Sequence, residues 1–141
     1  MRILILCTGN SCRSQMAQAA LSHFAPGHEV CSAGTQPAPF VHPMAVEVMA
    51  EVGLSLSGQT PKHVNCYIDQ SWDWVITVCG GAKETCPIFT GTVKHRIHIG
   101  WDDPAKVQGS QTEVKLAFVR SRERILSSMQ NFAQTYLGVD V

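Results

Sequence analysis

A run of aliphatic residues near the amino terminus constrains the fold more than any other feature of this sequence. Residues 2–6 read RILIL and stop at a loop that contains Gly9. A short strand without polar alternation is typical of a strand that is covered on both faces, as in parallel sheets. The chain is therefore expected to build a parallel sheet with helices packed on it.

The rest of the sequence alternates between helix and strand patterns. We predict helices over 14–24, 42–52 and 112–136, a weaker helix over 61–68, and strands over 29–32, 74–78 and 95–99. This alternation predicts an α/β fold with a single open, mostly parallel sheet flanked by helices. Because no segment resembles a linker or a repeat, we expect one domain over residues 1–141.

The charge balance excludes a broad attraction to nucleic acid or to an anionic membrane. Eleven basic side chains offset eleven acidic ones, so any anion site must be local. The apolar run at the amino terminus is too short for a secretory signal or a spanning helix, and we expect a cytoplasmic monomer. In a reducing compartment, six cysteines indicate thiol chemistry or metal binding. Cys31 and Cys66 stand outside any motif and are interpreted as small buried hydrophobes.

A cysteine and an arginine frame the loop after the first predicted strand. Cys7 and Arg13 are separated by five residues. Such a loop can turn its N–H groups and a helix N-terminus onto one anion, and Arg13 adds a planar pair of donors for a tetrahedral oxyanion. The same field is expected to lower the pKa of the nucleophile Cys7, with Ser14 hydrogen-bonded to its sulfur. The predicted oxyanion-binding residues are Thr8, Gly9, Asn10, Ser11, Cys12 and Arg13.

This loop resembles a known phosphate-binding loop. The segment CTGNSCRSQMA at 7–17 is similar to that of the low-molecular-weight protein tyrosine phosphatases, and more closely to that of the thioredoxin-coupled arsenate reductases built on the same fold. SAG at 32–34 and WDDPA at 101–105 extend the resemblance over most of the chain. The resemblance implies a single catalytic domain that reduces arsenate to arsenite, with thioredoxin as the reductant.

Two further cysteines separate the two activities. Cys79 follows the predicted strand 74–78, and Cys86 stands seven positions later, past a Gly-Gly pair that eases bending. Since sites in parallel sheets form at the carboxyl ends of strands, Cys7 and Cys79 should lie at one edge. The resemblance implies that Cys7 forms an adduct with arsenate, Cys79 displaces arsenite, and Cys86 carries the disulfide outward. The alternatives are a phosphatase with a phosphocysteine intermediate, which needs no second cysteine, and a non-enzymatic redox sensor.

An acidic pair at 102–103 contains the predicted proton donor. The resemblance assigns this role to Asp103, which directly precedes Pro104. A carboxyl group that faces a dianion and a thiolate has a raised pKa and donates a proton to a leaving oxygen. On spacing alone, an Asp-Pro pair is more often a turn.

The sequence predicts no metal site and no cofactor. A zinc site built from the thiols at 7, 12, 79 and 86 would have poorly spaced ligands, and Arg13 would compete with the metal. Some members of the resembled family hold a potassium ion through acidic side chains. This chain has Gln18 and Lys62 at the corresponding positions, and Lys62 itself can supply the positive charge.

Overall fold

Four parallel strands form the framework of the fold in the computed structural model, which describes residues 1–79 and 88–139. The strands are β1 (Arg2–Cys7), β2 (Glu29–Gly34), β3 (Trp72–Thr77) and β4 (Val93–His98). The α-helices of the described residues are α1 (Arg13–Phe24), α2 (Pro43–Ala50) and α3 (Gln111–Tyr136). Two 3₁₀ helices span Val64–Cys66 and Pro104–Lys106.

The strand order is β2-β1-β3-β4, and every neighbouring pair is parallel. The predicted open parallel sheet is therefore confirmed. The aliphatic run lies in β1 between two neighbours, and its residues Ile3 to Leu6 are fully buried. Leu6 is in register with Thr77 of β3. The carboxyl ends of these two strands consequently meet, which brings the segments that follow them to the same edge of the sheet.

The helices cover the sheet with the apolar residues that the sequence pattern indicates. Helix α1 buries Met16, Ala17, Ala20 and Leu21 and packs against α3. Helix α3 begins at an N-cap, where Ser110 accepts a hydrogen bond from the N–H of Glu113. In the described part of the chain, no helix is both long enough and apolar enough to cross a bilayer.

One predicted helix, over residues 61–68, is wrong. Only Val64–Cys66 forms a turn of 3₁₀ helix there. The backbone before it is held by tertiary hydrogen bonds, because Lys62 O accepts from Gly34 N at 2.8 Å and Lys62 N donates to Asn10 Oδ1 at 2.9 Å. These bonds tie the segment to β2 and to the loop after β1. The backbone groups of Lys62 are therefore used in tertiary contacts and not in a helix.

The close approach of Gly34 to the loop after β1 allows a test of this packing. A Cβ on Gly34 would lie 2.3 Å from Thr8 O, a backbone atom that cannot move aside alone. We expect Gly34→Ala to lower the free energy of unfolding by about 1–3 kcal/mol, as for other overpacked sites. Urea denaturation measures the loss. Gly9→Ala is the matched control, since its Cβ would lie 3.5 Å from Ser11 Oγ; equal losses for both variants would contradict the account.

Candidate active site

A cavity of about 240 Å³ lies at the carboxyl end of β1. Two segments form its walls, the loop after β1 on one side and the 3₁₀ helix that follows Asp103 on the other. The lining residues are Cys7, Thr8, Gly9, Asn10, Ser11, Cys12, Arg13, Asp103, Ala105 and Lys106. Every residue predicted to bind the oxyanion thus lines one cavity, together with the predicted nucleophile and proton donor. Their catalytic roles stay predictions.

The peptide units of this loop are held with their carbonyls pointing away from its interior. Four loop carbonyls accept hydrogen bonds from backbone N–H groups of residues 35–42. The pairs, at 2.8 to 3.2 Å, are Thr35 to Cys7, Gln36 to Thr8, Ala38 to Gly9 and His42 to Ser11. In a trans peptide the N–H points opposite to the carbonyl, so the N–H groups of residues 8, 9, 10 and 12 point inward. The N–H of Asn10 accordingly donates to Cys7 Sγ at 3.0 Å.

Asn10 fixes the bend of the loop. It is fully buried and, among the described residues other than glycine, it alone has a positive φ, at 48°. Its Nδ2 donates to Ser14 Oγ at 2.7 Å and to Ser32 Oγ at 3.0 Å. Its Oδ1 accepts from Lys62 N at 2.9 Å and from Gln15 Nε2 at 3.1 Å. One amide side chain therefore joins the loop to α1, β2 and the segment before the first 3₁₀ helix.

The Cys7 thiol is buried at the base of the cavity, with 3% of its surface exposed. Its Sγ lies 2.9 Å from Ser14 Oγ, as predicted. Burial raises the pKa of Cys7, and the hydrogen bonds from Ser14 and Asn10, with the charge of Arg13, offset only part of this rise. The expected lowering of this pKa is therefore wrong for the described structure. The reason is desolvation, which the sequence pattern does not reveal.

The Arg13 guanidinium is anchored between the two walls. Its Nη1 donates to Trp101 O at 2.9 Å, and its Nη2 lies 3.5 Å from Asp103 Oδ2. Its Nε is buried and has no hydrogen-bond partner among the described residues. Buried donors are rarely left unpaired in proteins, so this N–H is suited to an anionic ligand.

The sequence does not reveal which way Cys12 faces, and the structure places its thiol against the acid. Cys12 Sγ donates to Asp103 Oδ1 at 3.6 Å, and the same oxygen accepts from Ala105 N at 3.0 Å. Burial and the negative charge of Asp103 raise the pKa of Cys12 to about 12. Cys12 is thus a protonated thiol at neutral pH, and it orients the carboxylate together with Arg13.

The second predicted relay thiol lies beside the loop, as the sheet-edge argument predicts. Cys79 is buried, and its Sγ lies 3.3 Å from Thr8 Oγ1. Cys86 and the Gly-Gly pair lie outside the described residues. The interpretation of Cys31 and Cys66 as buried hydrophobes is wrong, since Cys31 is half-buried on an edge strand and Cys66 is exposed at the end of a 3₁₀ helix.

A second cavity of about 240 Å³ tests whether the chain fits a potassium ion. Three side-chain oxygens of its lining already take part in hydrogen bonds, because Ser32 Oγ donates to Gln18 Oε1 at 2.5 Å and Gln15 Oε1 accepts from Gln59 Nε2 at 2.5 Å. Among the described lining residues there is no carboxylate, and Lys62 carries a positive charge. These residues do not fit a cation. The described residues also contain no cluster of three or more His, Cys, Asp or Glu suited to a metal.

Two parts of the site carry no clear signal in the sequence. The first is the segment 35–42, whose Pro-rich composition indicates only a loop, although its N–H groups orient the loop carbonyls. The second is Lys106, which reaches the cavity wall because a 3₁₀ helix follows Asp103. A lysine three positions after the predicted acid is a weak signal by itself, since surface lysines are common.

Comparison with known proteins points to one family. The sequence matches the family described as "Low molecular weight phosphotyrosine protein phosphatase" over residues 2–136. An arsenate reductase of Shouchella clausii (strain KSM-K16) is 42% identical over 134 residues, which cover 94% of this chain and 95% of that protein. A solved structure described as "An arsenate reductase in the phosphate binding state" is 27% identical with a TM-score of 0.74, covering 94% of this chain and 96% of the other.

A further solved structure is a thioredoxin-dependent arsenate reductase of Corynebacterium glutamicum. It is 30% identical to this chain and superposes with a TM-score of 0.58. The match covers 92% of this chain and 62% of that protein. This chain is therefore similar to arsenate reductases over nearly its whole length.

The raised pKa of Cys12 predicts a pH dependence of stability. The unfolded chain releases this proton near the ordinary value of 9.0, whereas the folded protein holds it to about 12. The stabilising contribution is therefore fully present below pH 9.0 and is lost as the pH rises toward 12. From neutral pH to about pH 10.5, the unfolding free energy of the wild type should fall by about 1–2 kcal/mol more than that of Cys12→Ala, with both values taken from two-state fits.

Denaturant titrations of both proteins at several pH values across this range measure how steeply the unfolding free energy of each falls with pH. Cys66→Ala, which removes an exposed thiol, controls for the loss of one cysteine. A Cys12→Ala variant whose stability falls with pH as steeply as that of wild type would contradict the assignment of Cys12 as a buried, protonated thiol.

Proposed function

This chain belongs to the low-molecular-weight phosphotyrosine protein phosphatase family, and we propose that it is an arsenate reductase that converts arsenate to arsenite through a thiol adduct on Cys7. The observation that carries the proposal is the second buried thiol, Cys79, whose Sγ lies 3.3 Å from the hydroxyl of the loop residue Thr8. A phosphatase that works through phosphocysteine needs no such thiol. The similarity to named arsenate reductases supports the same conclusion.

The cavity is suited to a tetrahedral oxyanion. The inward N–H groups of the loop supply fixed donors. Helix α1 begins at Arg13, and the side chain of its N-cap residue, Cys12, makes no capping hydrogen bond. The unpaired Nε of Arg13 adds a charged donor. Arsenate and phosphate share the shape and charge that these donors match, so both ions are expected to bind.

The lining of the cavity favours a small inorganic ion over phosphotyrosine. None of the described residues that line it is aromatic. A phosphotyrosine ring would need apolar or aromatic walls to replace water around it. We therefore expect hydrolysis of phosphate esters to be a weak side activity of the same nucleophile.

The first step of the proposed reaction takes place on Cys7. The Cys7 thiol passes its proton to an oxygen of the bound arsenate, and the hydrogen bonds from Ser14 Oγ and Asn10 N stabilise the thiolate that remains. The thiolate attacks arsenic and a sulfur–arsenic bond forms. Asp103 takes up a proton from solvent when the oxyanion binds beside it and donates that proton to an arsenate oxygen, which departs as water. Arg13, 3.5 Å from Asp103, neutralises the charge that remains on the oxygens and on the carboxylate.

The second step transfers two electrons to arsenic. The Cys79 thiolate attacks the sulfur of Cys7, the sulfur–arsenic pair of electrons goes to arsenic, and arsenite leaves with a Cys7–Cys79 disulfide behind it. Cys86 then attacks Cys79, which frees Cys7 and leaves a Cys79–Cys86 disulfide. Thioredoxin, the reductant named for the Corynebacterium glutamicum relative, is the proposed reductant of that disulfide.

Cysteine-to-serine variants test this relay. We expect Cys79→Ser and Cys86→Ser each to lower arsenate-dependent NADPH oxidation, coupled through thioredoxin and its reductase, by more than about 100-fold, because the disulfide cannot form or move outward. Hydrolysis of p-nitrophenyl phosphate should persist in both variants and vanish in Cys7→Ser.

The exposed Cys66 provides the matched control, and Cys66→Ser should turn over arsenate at the wild-type rate. Arsenate turnover that survives Cys79→Ser would refute the relay. A wild-type protein that hydrolyses phosphate esters and leaves arsenate unreduced would instead be a phosphatase.

A further inference from the structure

Lys106 lies on the cavity wall that faces the loop after β1, and nothing in the family resemblance assigns it a role. We infer that Lys106 is a second cationic binding residue, which draws the oxyanion into the cavity and strengthens its binding before the chemical step. This inference rests on the proposed function in that it takes the ligand to be a tetrahedral oxyanion. It makes Lys106 a determinant of affinity rather than of the reaction rate.

The balance of charge in the cavity shows why a second cation matters. The charged side chains on its walls are Arg13, Asp103 and Lys106. Arg13 and Asp103 face each other at 3.5 Å, so their charges largely cancel at a distance. Cys12 remains protonated, with a pKa of about 12. The net positive charge that an approaching anion meets at the described walls therefore comes from Lys106.

The backbone holds Lys106 in place through the same residue that is proposed to donate the proton. The side chain of Asp103 caps the 3₁₀ helix by accepting from Ala105 N at 3.0 Å, and Asp103 O accepts from Lys106 N at 3.2 Å. The lysine side chain itself is exposed. Lys106 is thus fixed at its base and free to move at its ammonium group.

The ammonium group of Lys106 is not engaged elsewhere in the described part of the chain. Two other exposed lysines are paired, Lys94 with Asp73 at 3.2 Å and Lys115 with Glu51 at 2.8 Å, whereas the exposed Lys62 lies at the second cavity. No described carboxylate forms an ion pair with Lys106. An exposed, unpaired charge at a cavity mouth attracts ligands of opposite sign, and its effect weakens with salt.

Substitution of Lys106 tests the inference directly. Lys106→Met should raise the dissociation constant of inorganic phosphate, measured by isothermal titration calorimetry at low ionic strength, by roughly 5–20-fold. The KM for arsenate should rise by a similar factor, whereas kcat should stay within about 2-fold of wild type, since the lost interaction acts before the chemical step. The difference should shrink at high salt. Lys106→Arg should retain most of the affinity.

Lys94→Met is the matched control, because it removes the same charge from a strand away from the cavity and should leave phosphate affinity unchanged. A folded Lys106→Met protein with wild-type affinity for phosphate would overturn the inference. A change confined to the KM for thioredoxin would also overturn it, because Lys106 would then contact the reductant. Weakened phosphate binding in a protein that reduces no arsenate would refute the proposed function and leave this inference standing.

Discussion

The outward hydrogen bonding of the loop carbonyls is the constraint on which the rest of the site depends. No side chain of residues 35–42 has a proposed role in the chemistry, yet the backbone N–H groups of this segment hold four loop carbonyls away from the cavity. The opposite N–H groups must then point inward. This arrangement requires β2 to lie beside β1, and it requires Gly34 at the contact, where any side chain would meet Thr8 O. The oxyanion cavity is therefore a consequence of strand order as much as of the loop sequence.

The cavity combines a buried thiol, the proposed nucleophile, with an Arg13–Asp103 pair whose charges largely cancel each other. Burial disfavours the Cys7 thiolate, and hydrogen bonds from Ser14 and Asn10 oppose that effect without removing it. Arg13 shares its charge with Asp103, and the protonated Cys12 holds the same carboxylate. Burial and a raised pKa both lower the reactivity of this thiol toward oxidants in solution.

The sequence predicts those features that depend on local pattern. The aliphatic run of β1 and the apolar stripes of α1 and α3 follow from hydrophobic periodicity, and the cysteine–arginine spacing locates the cavity because the loop is continuous in sequence. The position of Cys79 beside the loop is likewise predictable, because it follows β3 at the sheet edge where β1 also ends. Features that depend on contacts between segments distant in sequence cannot be predicted from local sequence pattern. The backbone of Lys62 bonds to Gly34 of β2, and this tertiary hydrogen bond takes the place of the helix that the pattern predicts. The burial of Cys7 likewise raises its pKa, where the loop sequence predicts that the pKa is lowered.

A single-turnover experiment distinguishes the thiol relay from a phosphatase-type reaction. The fully reduced protein is mixed with excess arsenate in the absence of thioredoxin, and arsenite release is quantified alongside peptide mapping of the thiols. We expect one arsenite per chain and a disulfide between Cys79 and Cys86, with Cys7 again a free thiol. A reaction that releases no arsenite, or that releases it while Cys79 and Cys86 both remain reduced, would contradict the thiol relay.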